Sequence, residues 1–194
     1  MTEKRLNRFK SIVEKRQKFL TIVLENIHDP HNVSAIFRTA DSAGIDKIYL
    51  VYNTNKFPKI SNISSASAKK WIELVRFDSV KECFKNLRKE KYNIYSTHMS
   101  ESEKNYSLYE LDLTKRAALV FGNEHLGVSD EAKSLSDKNF LIPMYGMVKS
   151  LNVSVSAAIC LYEALRQRSG KGMYDKSAYT KKELIIKLED YIKK

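Results

Sequence analysis

Short apolar runs alternate with amphipathic segments along most of the chain, and this alternation constrains the fold more than any other feature. The runs read as strands by length and composition: FLTIVLENI, KIYLVY, LVRF, NIYSTHM, RAALVFGNE and FLIPMY. Between them lie segments with apolar residues at helical spacing, such as NVSAIFRTADSAG at residues 32–44. Strands that are apolar throughout and alternate with helices predict an α/β domain, with a parallel sheet covered by helices on both faces.

Both ends of the chain depart from this alternation. The segment TEKRLNRFKSIVEKRQ predicts a basic amphipathic helix, and KKELIIKLEDYIKK predicts a second helix at the other end. We therefore predict three parts: a basic helical extension over 1–18, the α/β domain over 19–168, and a helical extension over 169–194.

The charge balance favours a polyanionic partner. The 194 residues carry 34 Lys and Arg against 23 Asp and Glu, a net charge of +11, which suits nucleic acid although it also serves solubility. No apolar run approaches the roughly 20 residues needed to span a bilayer, and MTEKRLNRFK lacks the apolar core of a signal peptide. Cys83 and Cys160 form no disulfide pattern. We expect a cytoplasmic protein with no membrane partner.

Several common sites are excluded by their missing motifs. The sequence has no G-x-x-x-x-G-K-[ST] loop, no G-x-G-x-x-G after the first strand and no G-x-S-x-G elbow. His28 and His31 lack a matching cysteine or carboxylate cluster, so no metal site is expected.

Glycines mark two loops that follow predicted strands. Gly122 and Gly127 lie in VFGNEHLGVSDE, and Gly146 lies in IPMYGMVKSLN. Loops at the carboxyl ends of parallel strands are where open α/β sheets bind ligands, and glycine allows close backbone approach there. Tight turning from strand to helix explains the same glycines without a ligand.

The segment NVSVSAAICLYEALRQR predicts a helix with almost no polar stripe in its first turns. A helix that is apolar all round is buried on all sides. The face that does not contact the sheet predicts a contact with a second subunit. Coverage by the C-terminal extension of the same chain is the alternative.

Three stretches carry a resemblance to a known family. HNVSAIFRTADSAG, LVFGNEHLGVSDE and IPMYGMVKSLNVSVSAAI resemble, in order and spacing, the three motifs of the SPOUT RNA methyltransferases. The similarity is to the TrmH branch, which methylates ribose 2′-hydroxyls, and it runs from about Phe19 to Arg168. SASAKKW at residues 65–71 is also similar to that branch. Both extensions resemble those of members that act on guanosine-18 of tRNA.

The resemblance implies a fold and a cofactor that the spacing does not show. It implies a C-terminal trefoil knot formed by the loops after Gly122 and Gly146, an obligate homodimer, and S-adenosyl-L-methionine bound in the knot. The implied cofactor-binding residues are Thr97, Gly122, Ile142, Ser150 and Leu151. The implied activity is 2′-O-methylation of a tRNA ribose at guanosine-18. The alternatives are a ribosomal RNA ribose, another tRNA position, or a non-catalytic RNA-binding module.

Arg38 is interpreted differently with and without the family resemblance. It lies roughly 140° from the apolar stripe of its helix, so its side chain is outside the core. Taken alone, it reads as a surface arginine paired with Asp41 three residues later. The resemblance instead places Arg38 at the substrate ribose, where we assign it first to binding a phosphate and orienting the hydroxyl. The alternative, in which Arg38 also takes part in removing the hydroxyl proton, needs help from the phosphate or a neighbouring group.

Four further residues complete the implied catalytic set: Asn32, Glu124, Ser150 and Asn152. Without the resemblance, both asparagines read as helix caps and Glu124 as a solvated loop carboxylate. For RNA contact we predict the basic N-terminal helix with Lys69, Lys70 and Trp71, although Trp71 reads slightly better as a core residue.

Overall fold

A parallel sheet runs through the centre of the molecule. The computed structural model describes residues 1–54, 56–59, 68–98 and 106–194. The strands are β1 (Leu20–Glu25), β2 (Lys47–Val51), β3 (Glu73–Phe77), β4 (Asn93–Thr97), β5 (Tyr106–Ser107), β6 (Ala117–Phe121) and β7 (Lys138–Leu141). Within the described ranges they form a seven-stranded sheet in the order β3-β2-β1-β6-β4-β7-β5, and every pairing is parallel.

Helices cover both faces of this sheet. They are α1 (Glu3–Lys15), α2 (Pro30–Ser42), α3 (Val80–Lys89), α4 (Asp130–Leu135), α5 (Val153–Gly170) and α6 (Lys181–Lys193). Successive strand residues point to opposite faces. Ile22 and Leu24 therefore pack with α2 and α5, while Val23 between them packs with α3 and α4. The predicted α/β architecture with a parallel sheet is confirmed.

Two details of the strands differ from the sequence prediction. The run FLIPMY predicted a strand through Tyr145, but β7 ends at Leu141. Pro143 explains the early end, because proline has no N–H for the ladder and restricts the residue before it. Strand β5 was not predicted, since it has only two residues and no apolar run marks it.

Helices α1 and α6 pack against each other at the periphery. Phe9 and Val13 of α1 contact Tyr191 of α6, and the Trp71 ring packs at a tilt against Phe9 and Tyr191. Trp71 is thus partly buried, but between the terminal helices and not in the sheet core. The predicted motif SASAKKW is described only from Ala68, where a 3-10 turn begins; its first three residues lie outside the described ranges.

Charged side chains are buried where the strands begin. Arg168 of α5 is 1% exposed, and all three of its guanidinium nitrogens donate hydrogen bonds. Nη2 donates to the carbonyls of Phe19 (2.8 Å) and Lys115 (2.7 Å), Nε to that of Leu113 (2.8 Å), and Nη1 to Gln17 Oε1 (3.1 Å). Burial lowers the pKa of Arg168 to about 10. This cage of oxygens ties the end of α5 to the segments before β1 and β6.

A second charged contact holds α6 at the same edge. Asp46, which precedes β2, accepts hydrogen bonds from the Tyr179 hydroxyl (2.6 Å) and Lys187 Nζ (2.5 Å). Both donors come from the C-terminal segment, so this carboxylate docks that segment on the sheet. In the part of the chain that the structure describes, the helices are too short or too polar to cross a bilayer.

Candidate active site at the carboxyl edge of the sheet

A cavity of about 410 Å³ opens where β4, β6 and β7 end. Its size lies within the range of small-molecule sites, and the carboxyl edge of a parallel sheet is where such sites form. The cavity is lined by all five residues predicted to bind a cofactor: Thr97, Gly122, Ile142, Ser150 and Leu151. Three separate strand ends and the start of α5 supply them. The structure therefore brings the whole predicted set together around one space.

The turn after β6 requires glycine for a reason internal to the chain. A Cβ atom at Gly122 would lie 2.1 Å from the carbonyl oxygen of Gly127, and Gly127 has φ +69. Glycine at position 122 thus allows two parts of one loop to approach each other closely. This agrees with the alternative that the glycine serves tight turning of the chain and not ligand binding. A Cβ at Gly146 would meet nothing within 4 Å, so no steric reason requires glycine there.

Glu124 in this turn binds the start of α2. Its Oε1 accepts from the backbone amide of Asp29 (3.1 Å) and from Asn32 Nδ2 (3.0 Å), while Oε2 accepts from the amide of His28 (3.0 Å). Desolvation alone would raise the pKa of Glu124, but the hydrogen bonds from Asn32 and these amides lower it below its ordinary value. Glu124 is therefore an ionised anchor and not a solvated loop carboxylate.

Asn32 continues this chain of hydrogen bonds to α5. Its Oδ1 accepts from Asn152 Nδ2 at 3.0 Å, and Asn152 Oδ1 in turn accepts from the amide of Ser154 (2.8 Å). Asn152 thus caps α5, as predicted, and also contacts Asn32. The series Glu124–Asn32–Asn152 joins three elements around the cavity, and Asn32 at its centre is 8% exposed.

The predicted capping role of Asn32 is wrong. The N-cap of α2 is Asp29, whose carboxylate accepts from the amide of His31 at 2.8 Å, and Pro30 occupies the first helical position. Proline there needs no hydrogen bond and has the φ of a helix. The dipeptide Asp29-Pro30 was a sequence signal for this helix start, but the prediction from the motif placed the start at Asn32.

Arg38 does not line the cavity of its own chain. Its side chain is exposed on α2, and among the described residues it makes no hydrogen bond or ion pair. The pairing with Asp41, which was the alternative from the residues alone, is not found, because the Asp41 carboxylate pairs with Arg16. Ser150, by contrast, is exposed and does line the cavity.

Sequence reasoning missed four polar residues at the cavity: His98, Asn123, Lys149 and Ser156. Asn123 Nδ2 donates to the carbonyl of Asn26 at 2.8 Å, and Asn26 has φ 51. Asparagine directly after a strand and a glycine is a turn signal, so Asn123 was recognisable. Lys149 carried no such signal. No group of three or more potential metal ligands occurs within the described residues.

A parallel α/β sheet with a small-molecule cavity at its carboxyl edge defines a ligand-binding or enzymatic α/β domain. The SpoU rRNA Methylase family matches residues 19–162, most of the chain. The protein belongs to this family, and the resemblance seen in the three motifs is confirmed.

Individual relatives extend the similarity to nearly the full length. The chain is 42% identical over 175 residues to the tRNA (guanosine(18)-2'-O)-methyltransferase of Thermus thermophilus, covering 90% of this chain and 89% of that one. Among solved structures, the A. aeolicus TrmH/SpoU tRNA modifying enzyme superposes with a TM-score of 0.90 at 38% identity, covering 98% and 97% of the two chains. The SpoU methyltransferase AviRb of Streptomyces viridochromogenes, solved with the cofactor AdoMet, gives a TM-score of 0.69 at 26% identity, covering 80% and 62%.

Proposed function

We propose that the protein methylates the ribose 2′-hydroxyl of guanosine-18 in tRNA, with S-adenosyl-L-methionine as methyl donor. The observation that carries this proposal is the 42% identity to the Thermus thermophilus enzyme of that name over 90% of this chain. The superposition on the A. aeolicus TrmH/SpoU enzyme covers 98% of this chain and so reaches into both terminal helices. Enzymes that share only the α/β domain with this chain would match residues 19–162 and leave its two terminal helices unmatched.

The cavity fits the cofactor in size and chemistry. When bound, S-adenosyl-L-methionine supplies a methyl group on a positively charged sulfur. Ile142 and Leu151 offer apolar wall for a flat base, and the exposed Ser150 offers a hydroxyl. The Thr97 hydroxyl donates to the carbonyl of Val120 at 3.0 Å, so Thr97 shapes the wall and is not free to bind through that proton.

The chain's own residues position the ribose and fix the site. An arginine guanidinium is a cation and a poor base, so we assign Arg38 to binding an RNA phosphate and orienting the hydroxyl. Glu124 is ionised and has three donors on its two oxygens, which makes it an organising group. Through Asn32 and Asn152 it holds the starts of α2 and α5 at fixed separation, and this preorganisation lowers the cost of aligning the reacting atoms.

The knot and the division into three parts belong to the same proposal. The loops after β6 and β7 meet at the cavity with the start of α5, which is where the family resemblance implies a trefoil knot. Pairing of α1 with α6 supports extensions over 1–18 and 169–194 around a domain over 19–168. A tRNA substrate supports a cytoplasmic location.

A homodimer formed through α5 completes the proposed site. Val155 and Tyr162, seven residues apart on α5, are 46% and 51% exposed. Helix α6 packs on α1, so the C-terminal extension leaves these two side chains uncovered. The Tyr162 hydroxyl lies 3.4 Å from Ser42 Oγ, one helical turn beyond Arg38 on α2. A second copy on this face would border Arg38 and bring it beside a bound RNA.

Mapping of a labelled methyl group tests the proposed reaction. The protein is incubated with labelled S-adenosyl-L-methionine and, in separate reactions, a tRNA transcript and ribosomal RNA. The modified nucleotide is identified by mass spectrometry. A transcript with 2′-deoxyguanosine at position 18 is the matched control and should accept no methyl group. Label only in ribosomal RNA would contradict the tRNA assignment. Absence of ribose methylation in any RNA, together with no calorimetric cofactor binding, would leave the non-catalytic module.

Arg38→Ala tests the catalytic assignment. We expect the transfer rate to fall at least about 100-fold, because the ribose loses its positioning cation, with the cofactor Kd unchanged. Lys85→Ala, which removes an exposed cation from α3 on the other face of the sheet, is the control. Loss of cofactor affinity in Arg38→Ala would contradict the assignment.

A further inference from the structure

Two arginines, Arg16 and Arg38, are candidates to pair with the Asp41 carboxylate. Asp41 follows Arg38 by three residues on α2, and side chains at this spacing have Cβ atoms about 5–6 Å apart. The structure instead pairs its Oδ1 with Nη2 of Arg16 at 2.5 Å. The Arg16 side chain is 1% exposed and the Asp41 side chain 33% exposed, so this ion pair is closed to solvent on one side only.

The guanidinium of Arg16 is fixed by further partners. Its Nε donates to the Tyr191 hydroxyl at 2.8 Å, and its Nη1 donates to the carbonyls of Ile45 (2.9 Å) and Asp41 (3.3 Å). Tyr191 belongs to α6, and Arg16 follows directly after α1. The two terminal helices therefore hold this cation against the end of α2.

A fixed, buried cation outcompetes an exposed one for the same carboxylate. Arg16 loses no side-chain freedom on pairing, whereas Arg38 would have to give up rotamer entropy at the surface. Burial alone would lower the pKa of Arg16, but Tyr191 and Asp41 raise it above its ordinary value, so the pair stays charged. The outcome in the structure is an Arg38 without an intrahelical counter-ion among the described residues.

We infer that Arg16 is a positioning residue for methyl transfer, which holds the Asp41 carboxylate and so leaves the charge of Arg38 available to an RNA phosphate. The inference rests on the proposed function, because it requires Arg38 to act on the substrate. It gives the docked helices α1 and α6 a role in the electrostatics of the site. An unpaired carboxylate one turn from Arg38 would compete with the phosphate and repel it.

Placing a second carboxylate next to Arg38, while Asp41 keeps its ion pair with Arg16, tests this directly. Ser42 is exposed and four residues after Arg38, so Ser42→Glu adds a carboxylate beside it. Ser42→Gln has the same size without the charge and is the matched control. We expect kcat of Ser42→Glu, at saturating tRNA and cofactor, to be about five-fold below that of Ser42→Gln. Both variants should sediment as the wild type does. Equal kcat values would overturn the inference.

A rescue experiment tests the natural pair. Arg16→Met should lower kcat by a similar factor, since it releases Asp41 to Arg38. Adding Asp41→Asn removes the competing charge and should return kcat to within about two-fold of wild type. Rates are compared well below the lowest Tm of the variants, so that loss of folded protein does not enter. A purely structural role of Arg16 predicts a double variant no faster than Arg16→Met, and that result would overturn the inference.

Failure of the inference and failure of the proposed function give different results. If Arg38→Ala transfers methyl groups at the normal rate, the proposed role of Arg38 is wrong. If Arg38→Ala is inactive while the two Ser42 variants are equally fast, Arg38 keeps its role and only the positioning by Arg16 is refuted.

Discussion

The two edges of the sheet are held together by different interactions. At the carboxyl edge, backbone turns and amide side chains enclose the cavity, and the half-buried Glu124 is satisfied by neutral N–H donors. At the amino edge, three charged side chains are almost fully buried: Arg16, Asp46 and Arg168. The two buried arginines thus lie away from the ligand site, while the carboxyl edge buries one carboxylate, Glu25, at the end of β1. We expect substitutions at the amino edge to act mainly on stability, with Arg16 as the exception through its contact with Asp41. Substitutions at the carboxyl edge should reduce binding or transfer as well as stability.

The largest effect is expected from Arg168→Met at the amino edge. The variant leaves several buried carbonyls without a donor, so the free energy of unfolding should fall by about 4 kcal/mol. Denaturant unfolding monitored by circular dichroism measures it. Lys171→Met, exposed at the end of the same helix, is the control and should match the wild type. A change below about 1 kcal/mol in Arg168→Met would break the contrast between the edges.

Gly122→Ala is expected to have the next largest effect, now at the carboxyl edge. The new Cβ would meet the backbone of Gly127, which cannot move without opening the turn, so we expect a cost of about 3 kcal/mol. Calorimetry should show cofactor affinity at least about 100-fold weaker. Gly146→Ala adds a methyl group into open space and serves as the control. Unchanged affinity in Gly122→Ala would show that this turn does not shape the cofactor site.

Glu124→Gln should change the pH dependence of stability at the carboxyl edge. The pKa of Glu124 is lowered in the folded protein, so its contribution is present above the unfolded pKa and is lost as pH falls through the folded one. The variant should be about 2 kcal/mol less stable at pH 7, and the difference should shrink under acid conditions. Urea unfolding across this range measures it, with the exposed Glu131→Gln as control. A constant difference at all pH values would refute ionised anchoring.

The smallest effect is expected from Lys187→Met at the amino edge. Asp46 keeps the Tyr179 hydroxyl after the change, so only a partly buried ion pair is lost, at a cost of about 1 kcal/mol. The Tm should drop by a few degrees while cofactor affinity stays constant. Lys193→Met, on the exposed side of α6, should leave the Tm unaltered. Weaker cofactor binding in Lys187→Met would show that the two edges are coupled through the sheet.

Most of the fold was predictable because its signals are local. Each strand of four or more residues carries an apolar run, and Asn152 caps α5 where the sequence placed a helix cap. Strand β7 stops early because Pro143 interrupts a run that composition alone continues. The two-residue strand β5 has no apolar pattern of its own, and it is defined only by its pairing with β7.

The candidate site was predictable only through the family resemblance, which indicated that residues far apart in sequence lie close together in space. Spacing does not tell that the ends of β4, β6 and β7 lie side by side, since strand order is a property of the whole sheet. The partner of Asp41 was missed for a related reason. Proximity in sequence favours pairing of Asp41 with Arg38. Asp41 instead pairs with Arg16, a buried arginine 25 positions away whose guanidinium is fixed by several acceptors.

The strand order also has a consequence for how the chain is made. Strand β1 lies between β2 and β6, with Leu20 opposite Ala117, and all six of its residues are buried. While the ribosome is still making the first half, one edge of β1 has no partner and its apolar side chains remain open. Such edges invite pairing with other chains. The middle of the sheet therefore closes only after β6 has been made, more than halfway along the chain.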